Sequence, residues 1–493
     1  MKRILALALA GFMVATFTFA QIASVTTSQD AAAPPAKFTR EQLREDFQIA
    51  RAALEEGHSG IYRYTKKADL DHVFDEAAKS LDHPMDAYEF FRVMAPVIAA
   101  IKCGHTNVSL PDNLRQELNN RAPLLPLQVR VIDKKPYVFR DFSSREHQLA
   151  GQEIRSINGL PTAKIIATML AAINADGDVE TSRQARISDW RFSAWLIALL
   201  GLKSPYAVTL WNPKTRREAK AQIVGIELPK LQEMSKAQYP QDQGPTRAGE
   251  MKFLDDGKIV AMTIYGFGGY ADPGAKKGLR EFYKESFEAM QAKGAKALII
   301  DLRNNGGGED ALGKLLLSYL IDQPFKYYDD LVINNDTFSF MKYAGQADFK
   351  VPEKMAQRGS DGKYHATGHP NWGINQPNKP TFTGKVFILT NGGSFSTTSE
   401  FLSQAHFHKR ATFIGEESAG GYYGNSSGMT PNVTLPNTKL HVRVPLVTYY
   451  MAVSGYKTAA RGVVPDQLIK HTIDDLISGT DKDMEMALQL ARK

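Results

Sequence analysis

The chain reads as three folded parts in series: a helical N-terminal module, a β-rich middle domain, and an α/β core built on a largely parallel sheet. Three observations predict this mixture of α+β and α/β architecture. Apolar residues recur at helical spacing between residue 38 and about residue 120. From about Leu124 short alternating stretches replace them, and from Ile259 onward apolar strands alternate with helical segments. At 493 residues the chain is long enough for about three domains, each with a sizeable core.

The N-terminus has a basic start (Lys2, Arg3), an apolar run from Ile4 to Phe19 and the small-x-small ending Thr18-Phe19-Ala20. That pattern predicts a cleaved signal peptide over 1–20, hence an exported protein, periplasmic or extracellular. No later stretch has the length and apolarity of a membrane span. Residues 21–37 are small, polar and Pro-containing, the composition of a linker. The single cysteine, Cys103, has no intramolecular disulfide partner, so packing must stabilise the fold. A formal net charge of +7, part of it in the leader, is mild for this length. No basic cluster with interleaved aromatics marks a nucleic-acid partner.

In the 38–120 module, Thr39-x-x-Gln42 has the form of a capping box. Leu43, Phe47 and Leu54 form one helical face, and Leu70, Val73, Phe74, Ala77 and Leu81 a second. A third helix over Ala87 to Ile101 leads into Lys102-Cys-Gly-His-Thr106. In the middle domain, 121–226, strands are expected at Leu127–Ile132, Pro136–Phe139, Tyr206–Leu210 and near Ala221–Val224. A helix is expected from Thr162 to Ala171 and a helical insert over 180–200. Residues 226–250 read as a polar connection. The core, 245–475, offers strands at Ile259–Ile264, Ala297–Asp301, Lys385–Thr390 and Arg410–Gly415. Its helices carry Leu279, Phe282, Phe287 and Met290, then Ala311 to Ile321. An aromatic excursion over 322–380 reads as a lid or pocket wall. Strands around 440–444 and 447–451 are expected to complete the core, and a helix within 476–493 closes the chain.

The chemistry concentrates in two loops. After the strand ending at Thr390 the chain turns sharply through Gly392-Gly393 and reaches a hydroxyl-rich helix start, Ser394 to Ser399. A hydroxyl exposed by a tight turn at a helix N-terminus suits a nucleophile, since unpaired N–H groups there can meet an oxyanion; the same residues also suit a plain helix cap. The second loop, Asp301-Leu-Arg-Asn-Asn-Gly-Gly-Gly308, also follows a strand, so both loops belong at strand C-terminal ends. The glycine triplet lacks the Lys-Ser/Thr of a P-loop.

Together DLRNNGGG, NGGSFSTTSEF and RATFIGEESAGG resemble the S41 serine peptidases, a clan of tail-specific and C-terminal-processing proteases, the tricorn core protease and retinoid-binding repeats. The resemblance implies a ClpP/crotonase-like catalytic core with Ser396 as nucleophile and the N–H groups of Gly307 and Thr397 as oxyanion hole. Asp301 and Arg303 are then braces of the loop. Cys103-Gly-His-Thr106 is similar to the segment that carries the general base in the tricorn-like branch, which implies that role for His105; Cys103 reads as core. Gly151 to Gly159 resembles the hairpin of PDZ domains, implying a PDZ-like fold for 121–226 that binds peptide termini or serves only as a spacer.

Two positions depart from the family. Gly421 falls where tail-specific proteases have their lysine base. Gly462-Val-Val-Pro-Asp466 matches the segment that follows the orienting Glu, but Ala459 stands at the Glu position; Glu416 is the candidate substitute. The reading is an exported serine peptidase acting on peptides or unfolded proteins, with no metal or organic cofactor. The His406/His408 pair is too weak a pattern for a zinc site. A catalytically impaired binding relative and an acyl or ester hydrolase with the same Ser–His pair are the alternatives; no G-x-S-x-G elbow supports an α/β-hydrolase.

Overall fold

The computed structural model describes residues 36–143 and 149–493. The leader and nearly all of the 21–37 linker lie outside the described residues.

The N-terminal module opens with α1 (Arg40–Gly57), whose first turn is closed by the reciprocal Thr39–Gln42 capping box. Leu43, Phe47 and Leu54 are buried, as are Leu70, Phe74 and Leu81 of α2 (Lys67–Ser80) and its C-cap. Helix α3 (Ala87–Ala100) is capped by Asp86 and Glu89 and carries a largely apolar face. The short strand β1 (Asn107–Ser109) follows the loop that bears His105.

The middle domain is an antiparallel sheet of β2 (Leu127–Ile132), β3 (Lys135–Asp141), β4 (Glu153–Ile157), β5 (Tyr206–Asn212) and β6 (Arg217–Ile223), in that order. Helix α4 (Thr162–Ala172) packs on it, and the 180–200 insert forms α5 (Glu180–Arg186) and α6 (Trp190–Ala198). The insert meets the outer edge of β2: the Asp189 N–H donates to the Val129 carbonyl at 2.6 Å, and the Val131 N–H to Ser188 Oγ at 3.0 Å.

Residues 226–250 are not the plain polar connection expected. Leu228–Gln238 is a helix that begins with a proline in its first turn and anchors through buried Leu231. One apolar anchor in a polar helix leaves little periodicity to read. Gly249–Leu254 is β7, an edge strand whose polar alternation suits its half-exposed position.

The core sheet runs β7, β8 (Ile259–Ile264), β9 (Ala297–Asp301), β10 (Lys385–Thr390), β11 (Thr412–Gly415) and β12 (Gln467–Leu468). Only the β7–β8 pair is antiparallel. Ile299, Phe387, Leu389 and Ile414 pack on one face with the C-terminal helix α7 (Lys482–Ala491), so these strands are covered on both sides. Strands β9 and β10 are neighbours, which brings the loops after them together: the Phe395 N–H donates to the Asn305 carbonyl at 3.0 Å and the Asn304 N–H to Asn391 Oδ1 at 2.9 Å.

The two later strands pair outside the parallel sheet. His441–Arg443 pairs with β1, and Val447–Met451 pairs with Tyr328–Ile333. Each also pairs with a nearby strand, but these two partners lie more than a hundred residues upstream, information that strand propensity does not carry. The 322–380 excursion is therefore woven into the body through Tyr328–Ile333. It also reaches α1, where the Ser339 N–H and hydroxyl bond the Glu56 carboxylate.

Beneath this insertion lies a buried polar network. The Tyr328 hydroxyl meets Glu400 at 2.8 Å and Asp310 at 3.0 Å, Asn425 donates to Glu400 at 2.8 Å, and His369 pairs with Asp310. Burial, with Asp310 adding, raises the Glu400 carboxyl to about 7. A carboxyl raised in the folded state contributes stability below its unfolded value near 4.5, and loses it as pH rises through about 7. Unfolding free energy should therefore fall across that window by roughly 3 kcal/mol, and Glu400→Gln should remove this fall. Urea titrations of both proteins at several pH values check it; equal slopes would refute it.

Candidate active site

Ser396 is the residue before helix α8 (Thr397–Phe407), at φ 58° and ψ −128°. A non-glycine residue with that backbone is strained by about 1–3 kcal/mol and is held there by its surroundings. Asn305 grips the preceding residue, and Ser394 Oγ donates to the Leu302 carbonyl at 2.8 Å. The plain-cap alternative can be tested directly, because a capping hydroxyl would accept from an N–H in the first turn. Ser396 makes no such bond; its Oγ lies 3.0 Å from His105 Nε2 instead.

His105 comes from the other end of the chain, and three features hold its loop in place. Strand β1 is stitched to His441–Arg443 of the core. The Asn174 side-chain amide donates to the carbonyls of Cys103, Gly104 and Thr106. The Phe395 ring stacks on the imidazole with centroids 4.5 Å apart, and the Arg186 guanidinium lies 4.9 Å over Phe395. Burial holds the imidazole well below its usual value, with Arg443, Arg186 and His58 adding repulsion, so it is neutral at pH 7 and able to accept a proton.

Gly307 sits directly against the serine: a Cβ there would fall 2.7 Å from Ser396 Cβ and 3.0 Å from the Thr397 nitrogen. Its N–H, however, donates to Asn305 Oδ1 at 2.9 Å. An Asx turn thus engages the Gly307 N–H in this structure. Thr397 begins α8, where an N–H has no helical acceptor. Its hydroxyl ties the glycine loop to the helix through the Gly308 carbonyl at 2.8 Å.

The three supporting residues lie elsewhere. Asp301, Arg303 and Glu416 line a cleft with His471, Asp481 and Asp483, and neither Ser396 nor His105 is part of it. Arg303 bonds Asp301, Asp481 and Asp483, fastening the loop to α7, which is the bracing role read from the sequence. Glu416 makes no hydrogen bond to His105, whose Nδ1 has no partner among the described residues. A lysine at 421 is excluded too, since a Cβ there would lie 2.2 Å from the Tyr64 hydroxyl.

Asp176 is the site residue that sequence reading missed. It is 1 % exposed and accepts from the Gly104 N–H at 2.6 Å and the Gly421 N–H at 3.3 Å. A donor atom each from Cys103, His105 and Asp176 lie within 4.8 Å of one another. Cys103 donates to the Ser426 carbonyl, and burial with Asp176 beside it pushes its thiol up to about 11. A neutral thiol already bonded, and an imidazole engaged by serine, make a hydrogen-bonded cluster here rather than a cation site. Nothing in the spacing of Asn174-x-Asp176 could have announced it. Of the remaining histidines considered, His406 bonds the Tyr422 hydroxyl and His441 contacts Thr434 and Asp112.

Residues 258–469 match the family model for Peptidase family S41. The match covers a little under half of the chain, the part that holds the parallel sheet and the loops after it. The matched segment contains the serine loop but not His105. The fold is similar to that of CPAF along nearly the whole chain. A mutant CPAF crystal structure aligns at 16 % identity with a TM-score of 0.64, covering 92 % of this chain and 96 % of that one. Mature CPAF complexed with lactacystin aligns at 16 % identity and a TM-score of 0.61, covering 92 % and 98 %. No curated protein matches the sequence.

Two outcomes follow. The His105 imidazole, followed by histidine-selective NMR, should titrate with a midpoint below 6.5; a midpoint at or above that value would contradict its burial. Asn174→Ala removes the amide that holds three carbonyls and should cost about 1–3 kcal/mol in urea unfolding.

Proposed function

We propose that this S41 peptidase cleaves peptide bonds with Ser396 as nucleophile and His105 as general base. Ser396 Oγ attacks the scissile carbonyl carbon while His105 Nε2 takes the hydroxyl proton. The new alkoxide on the former carbonyl oxygen is met by the Thr397 N–H at the start of α8. Collapse of this intermediate breaks the C–N bond, and His105 returns its proton to the leaving amine. Water, activated by the same imidazole, then releases the acyl group from Ser396. The observation that carries this reading is the 3.0 Å Ser396–His105 contact, made by a serine in strained backbone with no capping role.

The substrate class follows from the family: peptides or unfolded proteins. The leader pattern at 1–20 supports export to a periplasmic or extracellular space, and no helix among the described residues is long and apolar enough to cross a membrane. The middle domain fits the PDZ-like reading in its antiparallel sheet and packed helix. Because Ser188 and Asp189 already bond the outer edge of β2, the spacer role is favoured over strand addition by a peptide at that edge.

Fluorophosphonate labelling of residues 21–493, mapped by peptide mass spectrometry, tests the nucleophile. Adduct on Ser396 that drops at least a hundredfold in rate in His105→Ala is expected. Well-folded protein with Ser396 unlabelled would turn the reading to a binding relative of the peptidases. Turnover of short acyl esters without casein cleavage would turn it to an ester hydrolase.

A further inference from the structure

The family's orienting glutamate is replaced here by Ala459, yet a base that must hold one tautomer needs an acceptor on its second nitrogen. His105 Nε2 faces Ser396, and among the described residues Nδ1 is a buried nitrogen with no hydrogen-bond partner. The acids around the loop are mostly committed. Glu417 holds Arg461 and the Gly462 N–H, Asp178 pairs with Lys102, and Glu416 lies in the separate cleft. Asp176 remains, fully enclosed and part of the cluster within 4.8 Å that includes His105.

We propose that Asp176 is the positioning acid of this peptidase, acting on His105 Nδ1 in place of the glutamate that the sequence lacks. The inference rests on the Ser396–His105 reading above. Its geometry is suited to the task. The same carboxylate accepts the Gly104 N–H, so it fixes the backbone immediately before the histidine, and it accepts the Gly421 N–H, so it ties that backbone to the loop after β11. The loop of Ala459 is also close by: the Asp178 N–H donates to the Ala460 carbonyl at 2.8 Å. An acid delivered from 176 therefore enters the same region as one delivered from 459, by a different route through the chain. The Tyr64 hydroxyl, buried and without a partner among the described residues, lies beside Gly421 and adds a polar group to the pocket. One ring nitrogen of His105 and a carboxylate oxygen of Asp176 lie within 4.8 Å of each other, a separation that a single bridging water spans.

In the reaction Asp176 gains and loses no proton. It keeps the Nδ1 proton of neutral His105 in place, leaves Nε2 as the acceptor toward Ser396, and faces the imidazolium when that forms. Burial raises the Asp176 carboxyl above its usual value; the Gly104 and Gly421 N–H groups, then Arg63 and Arg186, oppose that rise.

The test uses the mature chain with Asp176→Asn. The labelling rate of Ser396 by a fluorophosphonate should fall about 10²- to 10⁴-fold, while KM for casein-derived peptide changes less than threefold. Histidine-selective ¹⁵N NMR of the unsubstituted protein should show His105 protonated on Nδ1. That resonance should move or vanish in Asp176→Asn at unchanged near-UV circular dichroism. Should the variant fail to fold, the tautomer in the unsubstituted protein decides: a proton on Nε2 overturns the proposal. A variant labelled as fast as the parent overturns it as well, leaving the Ser–His reading intact. A parent protein that is not labelled at all removes the peptidase reading, and the role of Asp176 with it.

Discussion

A single hydrogen bond between the Ser396 hydroxyl and His105 Nε2 joins positions 291 residues apart and sets the demands on the remainder of the fold. Side chains so distant in sequence keep a 3.0 Å relationship only if each is fixed against a common frame. On the serine side that frame is the parallel sheet, whose neighbouring strands β9 and β10 bring two loops to one edge. On the histidine side it is the β1 pairing with His441–Arg443, the Asn174 amide and the Phe395 ring. Phe395 belongs to both sides: it precedes Ser396 in the chain and stacks on the His105 imidazole in space. A change in its packing would reach both partners at once.

Much of this was legible in the sequence because it is local. The capping box at Thr39, the apolar strands 259–264, 297–301 and 385–390, and the glycine turns leave periodic or compositional traces, and the structure has these elements at those residues. The motif resemblance led to Ser396 and His105, which the fold places in contact. What escaped was non-local. Residues 441–443 and 447–451 look like any short strands; only their partners, decided by register across distant segments, show that they belong outside the parallel sheet. Asp176 escaped for a similar reason: its carboxylate binds two backbone N–H groups from separate loops, and neither leaves a mark at position 176. Glu416 misled because proximity in sequence to a familial motif says nothing of the side of a loop on which a side chain emerges.

The energetics of the site divide in an instructive way. The backbone of Ser396 is strained, and burial disfavours charge on His105 and Asp176 alike. Such groups persist when many weaker contacts over-determine them. Here these contacts are largely backbone N–H and carbonyl groups, gathered by Asn174, Asn305, Asn391 and Asp176. Short amides and carboxylates can bond several loop groups at once, so loops without regular ladders still become rigid. The cation network around Arg303 performs the same service at a distance, holding the loop after β9 to the last helix.

The pairing of β1 with His441–Arg443 also has a consequence in time. Synthesis proceeds from the N-terminus, so the base is made first and the serine nearly three hundred residues later. The strand that anchors the base's loop follows only after another forty-five. Until residue 443 has emerged, the nascent chain holds both reactive side chains without the seam that brings them into register. The Ser396–His105 contact therefore has to wait for a pairing that joins the first quarter of the chain to its last fifth.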